Sequence, residues 1–465
     1  MKKILTFFSV AAGVLALASC GGNKVNTFEC PEAFDTETPV TVTFWNTMGK
    51  NLQEPLNEAI TEFTKLYPNV TVVSEQIGSY DDVRDQVNTN MGTGDYPSMA
   101  YCYPDHVALY NEARITVPLD EVIEHKQYGF GGEQVLFEGP KLEDFVAGFW
   151  AEGSQYEDGQ TYTVPFLKST EALFYNKTFF EANELKVPTT WEEVWEVCAQ
   201  IKEIDPLSTP LGYDSESNLF ITLAESYGYD YTKAEDEYFY FDNEGMRGLM
   251  KQFKEYFDKG YLTTGELCGG YTNTLMTDVT QTSRAYMCIG STAGAKYQVN
   301  SDGLFETGVV AVPKAAGKDL KCMSQGPSIV FFKKANPQEV LAAWLFTQYL
   351  LTPETQAKFA FASGYLPVTK TATQTSYYQA FLAKAYNEDG SLKDIAAASS
   401  KQAVAQSDNY FSSAVFIGSS TARDQAANLV INILGDKSMN ASNMEAKIAE
   451  HFKAAIAECR YQAGL

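Results

Sequence analysis

Val40-Thr41-Val42-Thr43-Phe44-Trp45 decides the fold, because its side chains alternate in the period-two pattern of a half-buried strand. Past Trp45 the period changes. Leu52, Leu56, Ile60, Phe63 and Leu66 recur at three- and four-residue steps, which marks one face of a helix. Tyr67-Pro68-Asn69 turns the chain, and Val70-Thr71-Val72-Val73 returns to the strand pattern. Ser79 and Asp82 make a capping box ahead of Val83, Val87 and Met91 on one helical face. Met99 to Tyr103 reads as a third strand. Residues 40–103 therefore predict β-α-β-α-β, a parallel, doubly wound sheet.

Outward from that stretch the α/β pattern repeats. Thr163 to Tyr175 is strand-like around Pro165. Thr190-Trp191-Glu192-Glu193 opens a helix whose apolar face is Val194, Trp195, Cys198 and Ile201. Tyr286 to Ile289 is a short strand ending in Gly290-Ser291-Thr292-Ala293-Gly294, and Ser328 to Phe332 is another. Asn336-Pro337 and Thr352-Pro353 each start a helix, and Gly364-Tyr365-Leu366-Pro367 ends the second. The last hundred residues read as mostly helical.

The N-terminus reads as an address. A basic Met1-Lys2-Lys3 precedes an apolar run from Ile4 to Leu17, too short to span a bilayer comfortably. Leu17-Ala18-Ser19-Cys20 then resembles a bacterial lipobox. This predicts a signal peptide over 1–19, lipidation of Cys20, and a polar tether over 20–38. The expected location is extracytoplasmic, anchored to the cell membrane through Cys20.

Composition removes several classes. A formal charge of −24 argues against a nucleic-acid partner, since phosphate backbones need a basic footprint. Only six residues are Arg, so a site for an anion has few guanidinium groups to draw on. The three His residues, His106, His125 and His451, are scattered, and no metal site is predicted. No serine elbow, P-loop or dinucleotide fingerprint occurs, so neither catalytic residues nor a cofactor are predicted. Asp242-Asn243-Glu244-Gly245 and Asn387-Glu388-Asp389-Gly390 lack the alternating ligands of a calcium loop and read as turns. Seven Cys remain beyond Cys20, without a CxxC pair. Most read as buried thiols, with a Cys268–Cys288 or Cys288–Cys322 disulfide left open.

Phe44-Trp45-Asn46-Thr47-Met48-Gly49 resembles the opening of the extracellular solute-binding proteins of ABC importers, family 1, in the carbohydrate-binding branch. Four further places carry the resemblance in family order. They are Phe63 to Val70, Glu171-Ala172-Leu173-Phe174-Tyr175-Asn176-Lys177 with Pro188 to Glu193, Leu350 to Glu354, and Gly364 to Lys370. The resemblance implies a periplasmic-binding-protein-like fold of type II. Two discontinuous α/β lobes, each a doubly wound sheet flanked by helices, would face each other across a cleft. By that analogy 39–166 with 291–334 form an N-lobe, and 167–290 with 335–465 a C-lobe, with crossings near Pro165, Gly290 and Lys334. The protein would be a monomer without cofactor, capturing a small solute by lobe closure and delivering it to ABC permease subunits. A secreted lipoprotein hydrolase is the alternative of another class.

Within the family the sequence most resembles the subgroup that binds glycerol-3-phosphate and glycerophosphodiesters. That subgroup's pocket positions fall on Tyr80, Tyr103, Asp105, Ser169, Ser291, Gly326, Tyr365 and Arg423, and the family's opening turn adds Asn46, Thr47 and Met48. Arg423 with Ser and Tyr hydroxyls suits a phosphate. The sequence departs from the subgroup where Pro104 replaces its acid, and where Ser217 and Phe220 replace its two tryptophans. A sugar or oligosaccharide is the leading expectation, with Trp45, Tyr80, Tyr103, Phe220 and Tyr365 as candidate aromatic faces.

Overall fold

The computed structural model describes residues 26–156 and 158–465. The expected signal peptide over 1–19 and Cys20 lie outside the described residues. Two five-stranded sheets organise the chain. The first gathers β1 (Val40–Asn46), β2 (Val70–Gln76), β3 (Met99–Cys102) and β4 (Thr163–Pro165). Between β4 and the second sheet lies the short strand β5 (Leu167–Lys168). The second sheet gathers β6 (Glu171–Asn176), β7 (Leu211–Tyr213), β8 (Leu262–Thr264), β9 (Met287–Ser291) and β10 (Thr307–Ala311). After β11 (Cys322–Met323) the chain returns to the first sheet as β12 (Ser328–Phe331), and β13 (Leu366–Pro367) pairs with β5. The orders are β2-β1-β3-β12-β4 and β10-β6-β9-β7-β8.

The alternating stretch from Val40 to Trp45 is β1, paired in parallel with β2 and β3. Both sheets are mixed rather than wholly parallel. β12 runs antiparallel to β3 and β4, and β6 runs antiparallel to β9 and β10. The helix Lys50–Leu66 buries Leu52, Leu56 and Phe63 on the first sheet. The predicted capping box closes at the helix Tyr80–Asn90: the Ser79 hydroxyl accepts from the Asp82 amide at 3.2 Å, and Asp82 accepts from the Ser79 amide at 2.6 Å. The helix Trp191–Ile204 starts at Thr190 and buries Trp191, Val194, Cys198 and Ile201 in the second core. Two lobes, each with its own core, are the result.

The boundaries of the lobes differ from the expected ones. Thr307–Ala311, expected in the N-lobe, is an edge strand of the second sheet. Gly308 permits that pairing, since a Cβ there would stand 2.3 Å from the Tyr175 ring. Conversely the helix Pro337–Leu350, expected in the C-lobe, packs Leu341, Trp344 and Leu345 into the core of the first lobe beside Val42 and Phe44. Gly290 and Lys334 are not crossings. The chain crosses at 166–170, at 323–327 and at 364–368.

These three crossings are laced together. The Ser169 and Gln325 amides each donate to the other's carbonyl at 2.9 Å. The Phe166 amide donates to the Pro327 carbonyl, and β5 pairs antiparallel with β13. Gly326 adopts φ 101°, and a Cβ there would meet the Leu167 carbonyl at 2.3 Å. Only glycine fits that approach at that backbone angle. The Lys168 ammonium, 1% exposed, is neutralised by Glu152 within this knot.

The tether also differs over its described part. Residues 26–38 are polar without a period, yet they pack on the first lobe. Phe34 is 7% exposed, edge-on to Tyr67 with ring centroids 5.7 Å apart. The Asn26 amide donates to the Thr116 carbonyl at 3.0 Å, and Asn69 donates to the Asp35 carbonyl at 2.8 Å. Among the described residues all seven cysteines are free thiols, so neither disulfide forms. We expect Phe34→Ala to lower unfolding stability by about 3 kcal/mol, as loss of a buried aromatic does. Urea titration checks this, and an unchanged midpoint would mean that 26–38 contributes nothing to the first lobe.

Candidate functional site

A cavity of about 620 Å³ opens between the lobes, against the laced crossings. Its walls come from the ends of strands. β1 runs into the turn at Thr47, β6 begins at Glu171, β7 ends before Asp214, and β9 ends at Ser291. Three of these, at β1, β7 and β9, are carboxyl ends, where open α/β sheets place ligands, and β6, antiparallel to β9, contributes its amino end.

Of the residues expected from sequence, Thr47, Tyr80, Tyr103, Ser169, Ser291, Gly326, Tyr365 and Arg423 line this cavity. Four do not. Asn46 is fully buried and builds the turn: its side chain donates to Ser74 Oγ at 2.8 Å and accepts from the Met48 amide at 3.0 Å. Met48 is 1% exposed in the first core. Phe220 packs against Tyr231, Phe241 and Phe452 in the second core. It lies two residues past Asn218 on the helix Glu216–Tyr227, roughly 200° around the axis, so Asn218 takes the cleft side and Phe220 the core side. Asp105 lines two smaller neighbouring hollows of about 60 and 350 Å³. Trp45 is also core, donating its indole N–H to Glu75 at 3.1 Å.

The floor carries a chain of hydrogen bonds. Arg423 Nη2 donates to Asn218 Oδ1 at 2.5 Å, and Asn218 Nδ2 donates to Glu171 Oε1 at 3.0 Å. The Tyr213 hydroxyl donates to the other Glu171 oxygen at 2.6 Å. Burial pushes the Glu171 carboxyl up to about 7, against the pull of these donors and of Arg423. Asp214 accepts from the Thr272 amide at 2.8 Å and hydroxyl at 2.6 Å, and burial raises it as well. Among the described residues Arg423 is the one basic side chain on the cavity wall, facing Glu171 and Asp214. Tyr80 and Tyr103 stack with centroids 4.4 Å apart, and the Arg423 guanidinium stands 5.5 Å over the Tyr103 ring.

Sequence reasoning missed Glu171, Asp214, Asn218, Tyr271 and Tyr297. Glu171 opens the Glu171–Lys177 motif, whose apolar residues mark a strand and give no sign that its first side chain faces a cavity. Asp214 could have been found from its place just after the apolar triplet Leu211-Gly212-Tyr213. Tyr271 sits in a loop and Tyr297 ends the short 3-10 helix Thr292–Tyr297, neither with a periodic signal.

The sequence profile of bacterial extracellular solute-binding proteins matches residues 58–385, and the chain belongs to that family. The relatives are binding proteins, not enzymes. The sn-glycerol-3-phosphate-binding periplasmic protein UgpB of Salmonella typhimurium is 22% identical over 366 residues, 74% of this chain and 78% of its own. Two solved structures share the two-lobed fold. The substrate-binding protein Lmo0181 of Listeria monocytogenes, in complex with cycloalternan, has a TM-score of 0.73 at 14% identity, covering 92% of this chain and 100% of that one. UgpB of Mycobacterium tuberculosis, in complex with glycerophosphocholine, has a TM-score of 0.71 at 18% identity, covering 90% and 98%.

The raised Glu171 carboxyl makes a stability prediction. The folded protein holds that proton more tightly than the unfolded chain. The stabilisation is complete below the ordinary carboxylate value of 4.5 and is lost as pH rises through about 7. Glu171→Gln keeps the Asn218 donor satisfied and removes the charge. Its melting temperature relative to the wild type should therefore climb between about pH 5 and about pH 8. A difference that stays flat with pH would place the Glu171 carboxyl at its ordinary value.

Proposed function

We propose that this protein is the lipid-anchored solute receptor of an ABC importer. It captures a neutral sugar or oligosaccharide between its lobes and hands it to the permease. The observation that carries the reading is the wall of the cavity: five tyrosine rings, two carboxylates and several side-chain amides, with a single guanidinium. Sugars offer hydroxyl donors, which carboxylates accept, and C–H faces, which aromatic rings cover. Two carboxylates against one cation make a poor cradle for a free anion. The volume of about 620 Å³ suits more than one sugar ring. The three laced crossings supply a hinge about which the lobes can close on the solute. Anchoring at Cys20 fits a receptor held near its permease, and no helix among the described residues is long and apolar enough to cross a membrane.

A glycerophosphodiester is the second reading, favoured by one observation. Arg423 spends one N–H on Asn218 and a weak one on the Met323 sulfur at 3.6 Å, and the rest of its fork remains for a phosphate oxygen. The relatives that bind glycerol-3-phosphate and glycerophosphocholine support it.

A thermal-shift screen separates the two. A ligand at about 100 times its Kd adds roughly 2.7 kcal/mol, which raises the melting temperature by several degrees. We expect a saccharide to give the shift, and Arg423→Ala to weaken binding by about ten- to a hundredfold without abolishing it, the worth of one hydrogen bond from a charged donor to a sugar hydroxyl. A shift from glycerol-3-phosphate or glycerophosphocholine that vanishes in Arg423→Ala would establish the second reading instead.

A further inference from the structure

Two tyrosines at the cavity stand apart from the rest. Tyr271 is 75% exposed and Tyr297 61% exposed, although both line the wall. Tyr80, Tyr103 and Tyr365 are half-buried, and Tyr80 stacks on Tyr103. Among the described residues neither Tyr271 nor Tyr297 packs its ring on another aromatic ring.

Their backbones are nevertheless fixed. The residue after Tyr271 is held twice, because the Thr272 amide and hydroxyl both donate to Asp214 at the end of β7. The Tyr271 carbonyl accepts from the Thr274 hydroxyl at 2.8 Å. The Tyr297 carbonyl, at the end of the 3-10 helix Thr292–Tyr297, accepts from the Asn273 side chain at 2.6 Å, which ties that helix to the segment after Tyr271. Two bare rings are therefore presented on pinned backbone of the second lobe, one in a loop and one at the end of a 3-10 helix. A tyrosine offers a wide amphipathic face and has few rotamers to freeze, so such a ring binds at small entropic cost. Water gains nothing from these faces, and a ring-shaped ligand with C–H surfaces does.

The geometry points to an outer aromatic platform, Tyr271 with Tyr297, that recognises the second and later rings of an oligosaccharide whose first ring lies on the Glu171–Asn218–Arg423 floor. This rests on the sugar reading and narrows it. The solute class is a glycan of at least two rings, extended along the second lobe, and a monosaccharide fills only the inner part. The two tyrosines set length specificity while the floor sets the identity of the inner ring.

Calorimetric titration of the full-length protein in detergent tests this with maltodextrins, cellodextrins, xylo-oligosaccharides and manno-oligosaccharides of increasing length. In the series that binds, affinity should rise on the order of tenfold when an outer ring is added. Tyr271→Ala and Tyr297→Ala should remove that gain, so that longer ligands bind no more tightly than the shortest one. Tyr271→Phe should retain it, since stacking uses the ring and not the hydroxyl. Melting temperatures of the free variants should match the wild type, because the exposed rings hold no core together. An unchanged length dependence in both alanine variants, or an equal loss for short and long ligands, overturns the platform and leaves the sugar reading standing. Wild-type protein that binds none of the glycans overturns the sugar reading and the platform together.

Discussion

The cleft depends on one constraint: three stretches of chain must cross between the lobes side by side. Residues 166–170 run in the middle, bonded on one side to 325–327 and on the other to β13. Gly326 allows the closest approach, and in the buried Lys168–Glu152 pair each charge neutralises the other where water cannot reach. Removing either partner alone would leave an unpaired buried charge, a loss of about 3–5 kcal/mol. Because Ser169, Gly326 and Tyr365 belong to the crossings and also line the cavity, the crossings and the cavity wall are partly the same residues.

A second tie spans the lobes at the helix Ser419–Gly435. Arg423 faces the cavity. Its neighbour Asp424 meets Arg84 of the first lobe at 3.4 Å, and the Arg84 guanidinium also donates to the Ser420 hydroxyl at 2.9 Å. The pair is partly exposed, and a pair of that kind is worth little by itself in salt. Its consequence is positional, since it fixes the helix turn from which Arg423 reaches Asn218. The floor of the cleft is thus assembled from distant parts of the chain, with Glu171 held by Asn218 and Tyr213 in between.

The alternation from Val40 to Trp45 and the capping residues Ser79 and Thr190 carried the α/β class and the first strands, because those signals are local. The lobe boundaries were not legible. β10 contains a glycine and has no alternation, and its place is set by pairing with a strand over a hundred residues earlier. The helix Pro337–Leu350 is buried nearly all round, so its sequence does not say which core it enters. Resemblance to a family located eight cavity residues, yet it put Phe220 on the wrong side of its helix and took Asn46 and Met48 for wall when they build the turn. The exposed tyrosines escaped because an exposed residue in a loop or at the end of a 3-10 helix has no pattern, and only the shape of the cleft gives it meaning. Residues 26–38 misled for the converse reason, since a single Phe34 and a few side-chain amides suffice to dock a segment that looks like a linker.

Whether this cleft holds a neutral glycan is tested most directly by native mass spectrometry of the protein purified from its own cells. The predicted result is a population carrying an added mass that corresponds to an intact saccharide of two or more rings, released unchanged on denaturation. An added mass that contains phosphorus, or a bound molecule released as a cleaved product, would contradict it.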